Sequence, residues 1–338
     1  MAAGTAELAR DSPVAAGAAV AGLIPFLLRR LLLALLALFG VVVLVFVLVR
    51  LIPGDVVTNL VGLDARPTPE QLANLRRLFG LDQPIHVQFG IWFGSLITGD
   101  LGQSLRTGRP IADDLLLRLP VTLELAVLAL AVALLIAIPL GVIAATKRGQ
   151  AADYAASLFA LIGLAAPNFW LAILFILFFS LQLRLLPSGG YVLLSENPIE
   201  NLRHMVLPSV ALGLSLAAAT TRITRSSLLE VLMLDYVRTA RAKGLSERIV
   251  IYRHALKNAL IPVATVIGLQ VGTLLGGAII IEEIFGLPGI GRFALEGINL
   301  RDYPVVQGAV LVVAGAFVLV NVLVDVLYAL IDPRVRYD

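Results

Sequence analysis

The residues best suited to act on a partner form one basic segment, Tyr236-Val237-Arg238-Thr239-Ala240-Arg241-Ala242-Lys243-Gly244, set between long apolar runs. Spaced cations, the small residues Ala240 and Ala242 and a closing glycine suit noncovalent docking rather than bond making. Leu228 to Ala242 has helical composition, Gly244 is a helix stop, and Ser246 is placed to cap a second helix through Ile249, Ile251 and Leu256. An ordinary basic loop would satisfy topology alone, yet a loop of 36 residues, 222 to 257, that is itself helical is more than topology requires. A second group of residues puts polar atoms inside apolar runs, where they mark either a pathway or an interhelical hydrogen bond. These are Asn168 beside Pro167, Gln270, Glu124, and the pair Asn321 and Asp325, which share a helix face at i and i+4. Bond-making chemistry is poorly provided for. The chain has no cysteine, which excludes disulfides, cysteine-ligated zinc and cysteine nucleophiles. His86, His204 and His254 all read as loop residues far apart in sequence, so neither a metal site nor an intramembrane Ser-His hydrolase is expected. No Gly-x4-Gly-Lys-Ser/Thr phosphate loop occurs, so ATP binding by this chain is not expected either.

The elements that must position these residues are membrane helices. With 59% hydrophobic residues, 14% charged residues and a mean hydropathy of +0.94 over 338 residues, the chain reads as an all-α polytopic membrane protein. Its pI of about 9.4 is a topology signal, because Lys and Arg cluster between apolar runs rather than along an aromatic-studded face. The partner implied is a lipid bilayer and no nucleic acid. Leu31 to Val49 is 19 uncharged residues, about 28 Å of helix, enough to cross a hydrocarbon core of roughly 30 Å. The segment that follows it lacks a cleavage site, so it is expected to be a retained span rather than a signal peptide. The apolar patch Val14 to Ile24 is too short to cross and is expected to be disordered or interfacial. Further runs near 120 to 145, 154 to 183, 205 to 221, 258 to 281 and 304 to 331 bring the count to six spans.

An even count puts both termini on one side. The loop 222 to 257 carries eight basic against three acidic residues, so the positive-inside rule makes it, and with it both termini, cytoplasmic. The outer segment 282 to 304 holds four acids against Arg292 and Arg301. A long outer loop, 50 to 119, contains a short helix from Thr68 to Phe79, with Pro69 and Glu70 at its start and Gly80 at its end. Trp92 and Phe93 suit the headgroup level. The expected division is a cytoplasmic tail over 1–25, a first span plus extracytoplasmic loop over 26–118, and a five-helix core over 119–333. Ala264, Gly268, Gly272 and Gly276, spaced by four, form a small-residue face for close packing within this chain or against a partner. Bends are expected at Pro139, Pro167, Pro208 and Pro262.

Tyr236 to Gly244, followed by Arg253-His254-Ala255-Leu256-Lys257-Asn258-Ala259-Leu260-Ile261-Pro262, resembles the coupling region, or EAA loop, of the peptide/nickel family of ABC importer permeases, which carries dipeptides and oligopeptides. Supporting stretches are Gly80 to Pro84, Gly99 to Gly102, Leu119 to Leu125, Phe285 to Arg292 with its Pro-Gly-x-Gly core, and Asp332-Pro333-Arg334; together they cover nearly the whole chain after residue 25. Arg238-Thr239-Ala240 stands where Glu-Ala-Ala is usual, a departure that itself resembles the peptide branch. The resemblance implies a type I ABC importer permease core with no catalytic, cofactor or metal residue of its own. It also implies a second homologous permease subunit, two ATP-binding subunits that hold and hydrolyse the ATP, an extracytoplasmic substrate-binding protein, and residence in a bacterial or archaeal cell (inner) membrane. On that reading Tyr236, Arg238, Ala240, Ala242 and Gly244 couple to the ATPase, and Asn168, Gln270, Glu124 and Asn321 line the translocation pathway. Same-family importers of nickel or glutathione share the pattern. An ion-coupled secondary transporter is disfavoured, because it calls for inverted repeats and buried titratable pairs at midplane, where this chain has neutral amides.

Overall fold

The structure is a computed structural model that describes residues 13–51, 68, 70–71, 77 and 82–331. It is helical: α1 (Pro13–Leu51), α2 (Ile85–Ile97), α3 (Ile111–Thr146), α4 (Ala151–Ala165), α5 (Asn168–Phe175) running on as a π-helical stretch Ile176–Gln182, α6 (Pro198–Leu232), α7 (Asp235–Ala242), α8 (Leu256–Phe285), α9 (Ile290–Leu300) and α10 (Tyr303–Ile331). A one-turn helix, Glu247–Ile249, and a π-helical stretch, Val250–Ala255, lead into α8. The six expected spans are present as α1, α3, the α4–α5 pair, α6, α8 and α10. Two details differ from the sequence expectation, and a third, the bend expected at Pro167, is larger than a kink. The third span is broken, its halves meeting at 103°. Ala166 and Pro167 are extended there, because Pro167 cannot donate the backbone bond a continuous helix needs and biases the preceding residue out of the helical region. Pro139, Pro208 and Pro262, by contrast, all lie inside unbroken helices. At the N-terminus, Val14 to Ile24 continues the first span as helix from Pro13, so the boundary expected at 25 has no counterpart in the backbone. Finally, α8 is followed by a second sharp bend, 74°, into the short helix α9, where the sequence predicts only outer loop.

Packing centres on α6, which lies against α3, α4, α5 and α8. A bilayer supplies no hydrophobic drive between helices, so association depends on small residues that let backbones approach. That is what lines the α3–α6 contact: Ala129, Ala133 and Ala137 face Ala211, Gly213 and Ala217, all deeply buried. A Cβ placed on Gly213 would sit 2.5 Å from the Ala129 carbonyl oxygen, and one on Gly141 2.6 Å from Thr224 Cβ. Gly213→Leu is therefore expected to lower the thermal midpoint of the detergent-solubilised protein, with an overpacking cost of about 1–3 kcal/mol or more. Gly40→Leu, where a Cβ meets nothing within 4 Å, is the neutral control; equal midpoints for both would contradict the close approach.

The glycine stripe of α8 resolves into two uses. Gly268 packs under Val324 and Gly272 under Phe317, both on α10, so this stretch serves the chain's own core. Gly276 instead meets nothing within 4 Å and is exposed on this chain, so of the two expected uses only packing within the chain is seen, and only at Gly268 and Gly272.

The first span is tied on by Arg30 to Asp325 of α10 at 3.2 Å, and by an aromatic cluster with α2. In that cluster Phe46 meets Trp92 and Phe89, and Phe39 meets Phe93. Trp92 and Phe93 thus clamp α2 onto α1. Of the expected Thr68–Phe79 helix, the described residues show its start. Gln71 N donates to Thr68 Oγ1 at 3.3 Å and Thr68 N donates to Gln71 Oε1 at 2.9 Å, a reciprocal cap. Pro69, Phe79 and Gly80 lie outside the described residues, as do residues 1–12 and Asp332-Pro333-Arg334. The described stretch Ser104-Leu105-Arg106 of the outer loop is anchored by Asp302. This buried carboxylate accepts from Ser104 Oγ at 2.6 Å and from the Leu105 N–H at 3.2 Å, while Arg106 Nη2 donates to the Leu300 carbonyl at 2.9 Å.

Candidate functional site

Two regions at opposite ends of α6 collect the functional candidates. At the Leu232 end the helix stops, and after Met233-Leu234 the chain restarts as α7, a break that the sequence reading ran through as one helix. α7 is amphipathic. Val237 and Ala240 point inward, into a cluster with Val142 and Ala145 of α3, Leu228 of α6, and Val250, Ala255 and Ala259 leading into α8. Tyr236, Arg238 and Ala242 are exposed, and Gly244 follows them in open space at φ +78°, the left-handed conformation of a helix stop. Of the five residues expected to meet a partner, Ala240 is therefore packed inside its own chain, and four are presented outward. Tyr236 hydroxyl donates to the His254 carbonyl at 3.3 Å and accepts from Asn258 Nδ2 at 2.8 Å, fastening α7 to the start of α8. Arg241 pairs with Glu247 at 2.7 Å across the Gly244 turn. Ser246 occupies the cap position of the next turn without a side-chain capping bond.

Close by, Arg225 of α6 makes a two-pronged contact to Asp153 of α4, at 2.6 and 2.9 Å, and Asp153 also accepts from the Gly149 N–H at 3.0 Å. The carboxylate is almost wholly enclosed, so this pair fixes the α4–α6 spacing at the end where α7 docks. Sequence reasoning missed it, because the partners lie 72 residues apart.

The polar residues expected along a pathway fall on four separate helices. Asn168 is half-buried and is the first residue of α5, at the 103° break. Gln270 is half-buried on α8. Glu124, half-buried on α3, accepts from the Tyr191 hydroxyl at 2.7 Å. Burial, followed by the bond to Glu124 and its charge, pushes the Tyr191 hydroxyl up to about 12, so it stays a donor across the physiological range. Asn321 donates to the carbonyl of Phe317 in its own helix at 2.8 Å.

The end of the bundle away from α7 contains a constellation whose members in the sequence are only charges of the outer segment 282 to 304. Glu282 of α8 is fully buried. It accepts from Thr122 Oγ1 at 2.6 Å and from the Arg292 N–H at 3.0 Å, and Thr122 Oγ1 in turn accepts from the Ile290 N–H at 2.9 Å. The Pro-Gly-x-Gly turn wraps this carboxylate: a Cβ on Gly289 would collide with it, and one on Gly291 would lie 3.0 Å from Oε2. Gly286 at φ +64° ends α8, with the Leu287 N–H on the Glu282 carbonyl at 2.8 Å and the Gly286 N–H on the Glu283 carbonyl at 3.3 Å, the paired bonds of a glycine stop. The available signal was the position of Glu282 beside that turn.

The three histidines lie in helical segments rather than loops: His86 in α2, His204 in α6 and His254 in the π-helical stretch before α8. Among the described residues no group of three or more His, Cys, Asp or Glu is arranged to hold a metal ion.

Residues 137–337 match the family described as binding-protein-dependent transport system inner membrane component, and residues 23–126 match its N-terminal membrane component. A dipeptide transport system permease protein, DppB, from Alkalihalophilus pseudofirmus is 44% identical, over 93% of this chain and 100% of that protein. The di/tripeptide transport system permease DppB of Pseudomonas aeruginosa is 43% identical, over 94% and 100%. DppB of Escherichia coli is 43% identical, over 93% and 99%. Among solved structures, an inward-facing MetNI methionine ABC transporter chain shares the fold at TM-score 0.52 and 18% identity, over 65% of this chain and 96% of that one.

Proposed function

Because the chain belongs to the family of binding-protein-dependent transport system inner membrane components, we propose that it forms the translocation pathway of an ATP-driven importer of dipeptides or short oligopeptides, and that α7 is its coupling element. The chain is a multi-pass membrane permease component of the peptide-transport branch, and as such part of a transporter complex. On our reading the complex holds a second permease subunit, two ATP-binding subunits that carry the nucleotide, and an extracytoplasmic binding protein that delivers substrate. Both termini and α7 then face the cytoplasm, and the chain divides functionally near residue 118 into an accessory first span with its outer loop and a five-span core.

The observation that carries this reading is the seat of α7. It joins the end of α6 to the start of α8, with Val237 and Ala240 sunk into a cluster that both helices and α3 share, while Tyr236, Arg238, Ala242 and Gly244 are left for a partner. A docking helix mounted this way cannot shift without moving three spans together. That is the mechanical requirement for switching a cavity between outward and inward access from outside the membrane. As pathway residues on this reading, the amides of Asn168 and Gln270 suit peptides, because they donate to and accept from backbone groups without demanding one side chain. Asn168 at the α4–α5 break is the stronger of the two, since a broken helix in a bilayer is tolerated where it is buried in protein or lines water.

The absence of cysteine makes the test clean. Asn168→Cys and Gln270→Cys are expected to react with membrane-impermeant thiol reagents, with rates that differ between ATP-bound and nucleotide-free complexes. If both thiols resist in every nucleotide state, these residues are packing contacts and the path runs elsewhere.

A further inference from the structure

A polar cavity of about 380 Å³ opens at the end of the bundle away from α7, between the close of the π-helical stretch and the start of α6. Its wall carries two cations, Arg184 and Arg203, against one anion, Glu200, with Ser180 and Ser188 beside them. Arg203 is partly committed, its Nη1 donating to Glu200 Oε1 at 2.8 Å and its Nη2 to the Leu185 carbonyl at 3.4 Å. Arg184 is exposed and has no ion-pair partner among the described residues. The Ser180 hydroxyl is buried with no hydrogen-bond partner. Arg184 also holds the left-handed conformation, φ +53°, which is unfavourable for a residue other than glycine. The wall thus has an excess of one positive charge, a free guanidinium and an unused hydroxyl.

What surrounds it indicates the ligand. Leu181 and Leu185, which line the cavity, stand exposed at 60% and 57%, and on α6 Ile199 and Leu202, each next in sequence to a lining residue, Glu200 and Arg203, are exposed at 73% and 52%. The polar cavity therefore lies where the apolar belt of α5 and its π-helical continuation gives way to polar chain, the level of the phospholipid headgroups. A docking protein's carboxylate would suit the arginines but not this rim of bare leucines. Acyl chains suit it.

We propose that Arg184 and Arg203 bind the phosphodiester of an anionic phospholipid whose acyl chains lie along Leu181 and Leu202. The guanidiniums supply paired charge-assisted donors to the phosphate oxygens, and the leucine rim covers the upper chain. This site requires only that the chain spans a bilayer and is independent of the peptide-import reading.

The test is native mass spectrometry of the full chain in its purified assembly, stripped of lipid and titrated with phosphatidylglycerol. Arg184→Gly relaxes the left-handed backbone while removing the guanidinium, so loss of lipid in that variant is not a loss of fold; Arg203→Gln preserves length without charge. We expect one tightly retained phosphatidylglycerol on the unmodified chain, about tenfold weaker retention in the double variant, and no displacement by millimolar inorganic phosphate, which lacks the acyl chains. Equal retention in the double variant overturns the site. Displacement of the lipid by inorganic phosphate would make it an anion site without a lipid. Unchanged retention with impaired response to the delivering protein would assign the arginines to a protein carboxylate.

Discussion

Glu282→Ala is expected to lower the unfolding midpoint of the solubilised protein more than any exposed-site variant, by the equivalent of at least about 3 kcal/mol. The side chain is fully enclosed, and its removal orphans the Thr122 hydroxyl and the Arg292 N–H. It also leaves a void under Gly289 that the turn, fixed by Gly286 and Pro288, cannot readily collapse into. The consequence is specific: α9, wedged between α3 and α10 through Ile290, Phe293 and Ala294, loses its anchor. Glu282→Gln keeps an acceptor for one of the two donors and should fall between. A wild-type midpoint for Glu282→Ala would mean that the glycine stop and the apolar wedge hold the bend by themselves.

The second large effect is expected at Gly244. Gly244→Phe should leave membrane insertion and assembly intact yet reduce substrate-stimulated ATP hydrolysis about tenfold or more, the usual span of coupling between distant sites. Within the chain a Cβ at this position meets nothing within 4 Å, and the left-handed backbone costs about 1–2 kcal/mol. The fold has room for the substitution, so its effect falls on the docked partner and on the α7 exit angle. Gly244→Asn separates the two, because asparagine tolerates the left-handed region. Recovery with asparagine assigns the role to backbone conformation, and continued loss assigns it to close approach of the partner. Normal stimulation in Gly244→Phe would remove α7 as the coupling element.

The spans were legible in the sequence because twenty apolar residues have few alternatives in a chain this hydrophobic, and the basic loop because its charge and its helix stop are both local. What was not legible is what depends on pairing over distance. Asp153 and Arg225, 72 residues apart, carry no local sign of pairing until α4 and α6 are side by side. Glu282 and Asp302 were counted as outer-surface acids, yet both are buried, since the helix ends bring N–H groups and hydroxyls to meet them. A bend at Pro167 is legible in the sequence, but its 103° size is not, because hydropathy measures the environment of a segment and not its direction, and Pro139, Pro208 and Pro262 carry the same signal inside unbroken helices. Ala240 looked like a partner-facing small residue beside Ala242. Two positions apart on a helix is about 200°, so the pair cannot share a face, and the buried one faces its own chain.

If, as we propose, ATP hydrolysis on partner subunits works this chain through α7, uptake in reconstituted vesicles will show it. The permease pair, the two ATP-binding subunits and the binding protein are placed in proteoliposomes with radiolabelled dipeptide outside. Accumulation is expected only with ATP on the ATPase side, and is expected to be lost with Gly244→Phe and unaffected by collapsing the proton and sodium gradients. Uptake that proceeds without ATP and follows an ion gradient would contradict the account.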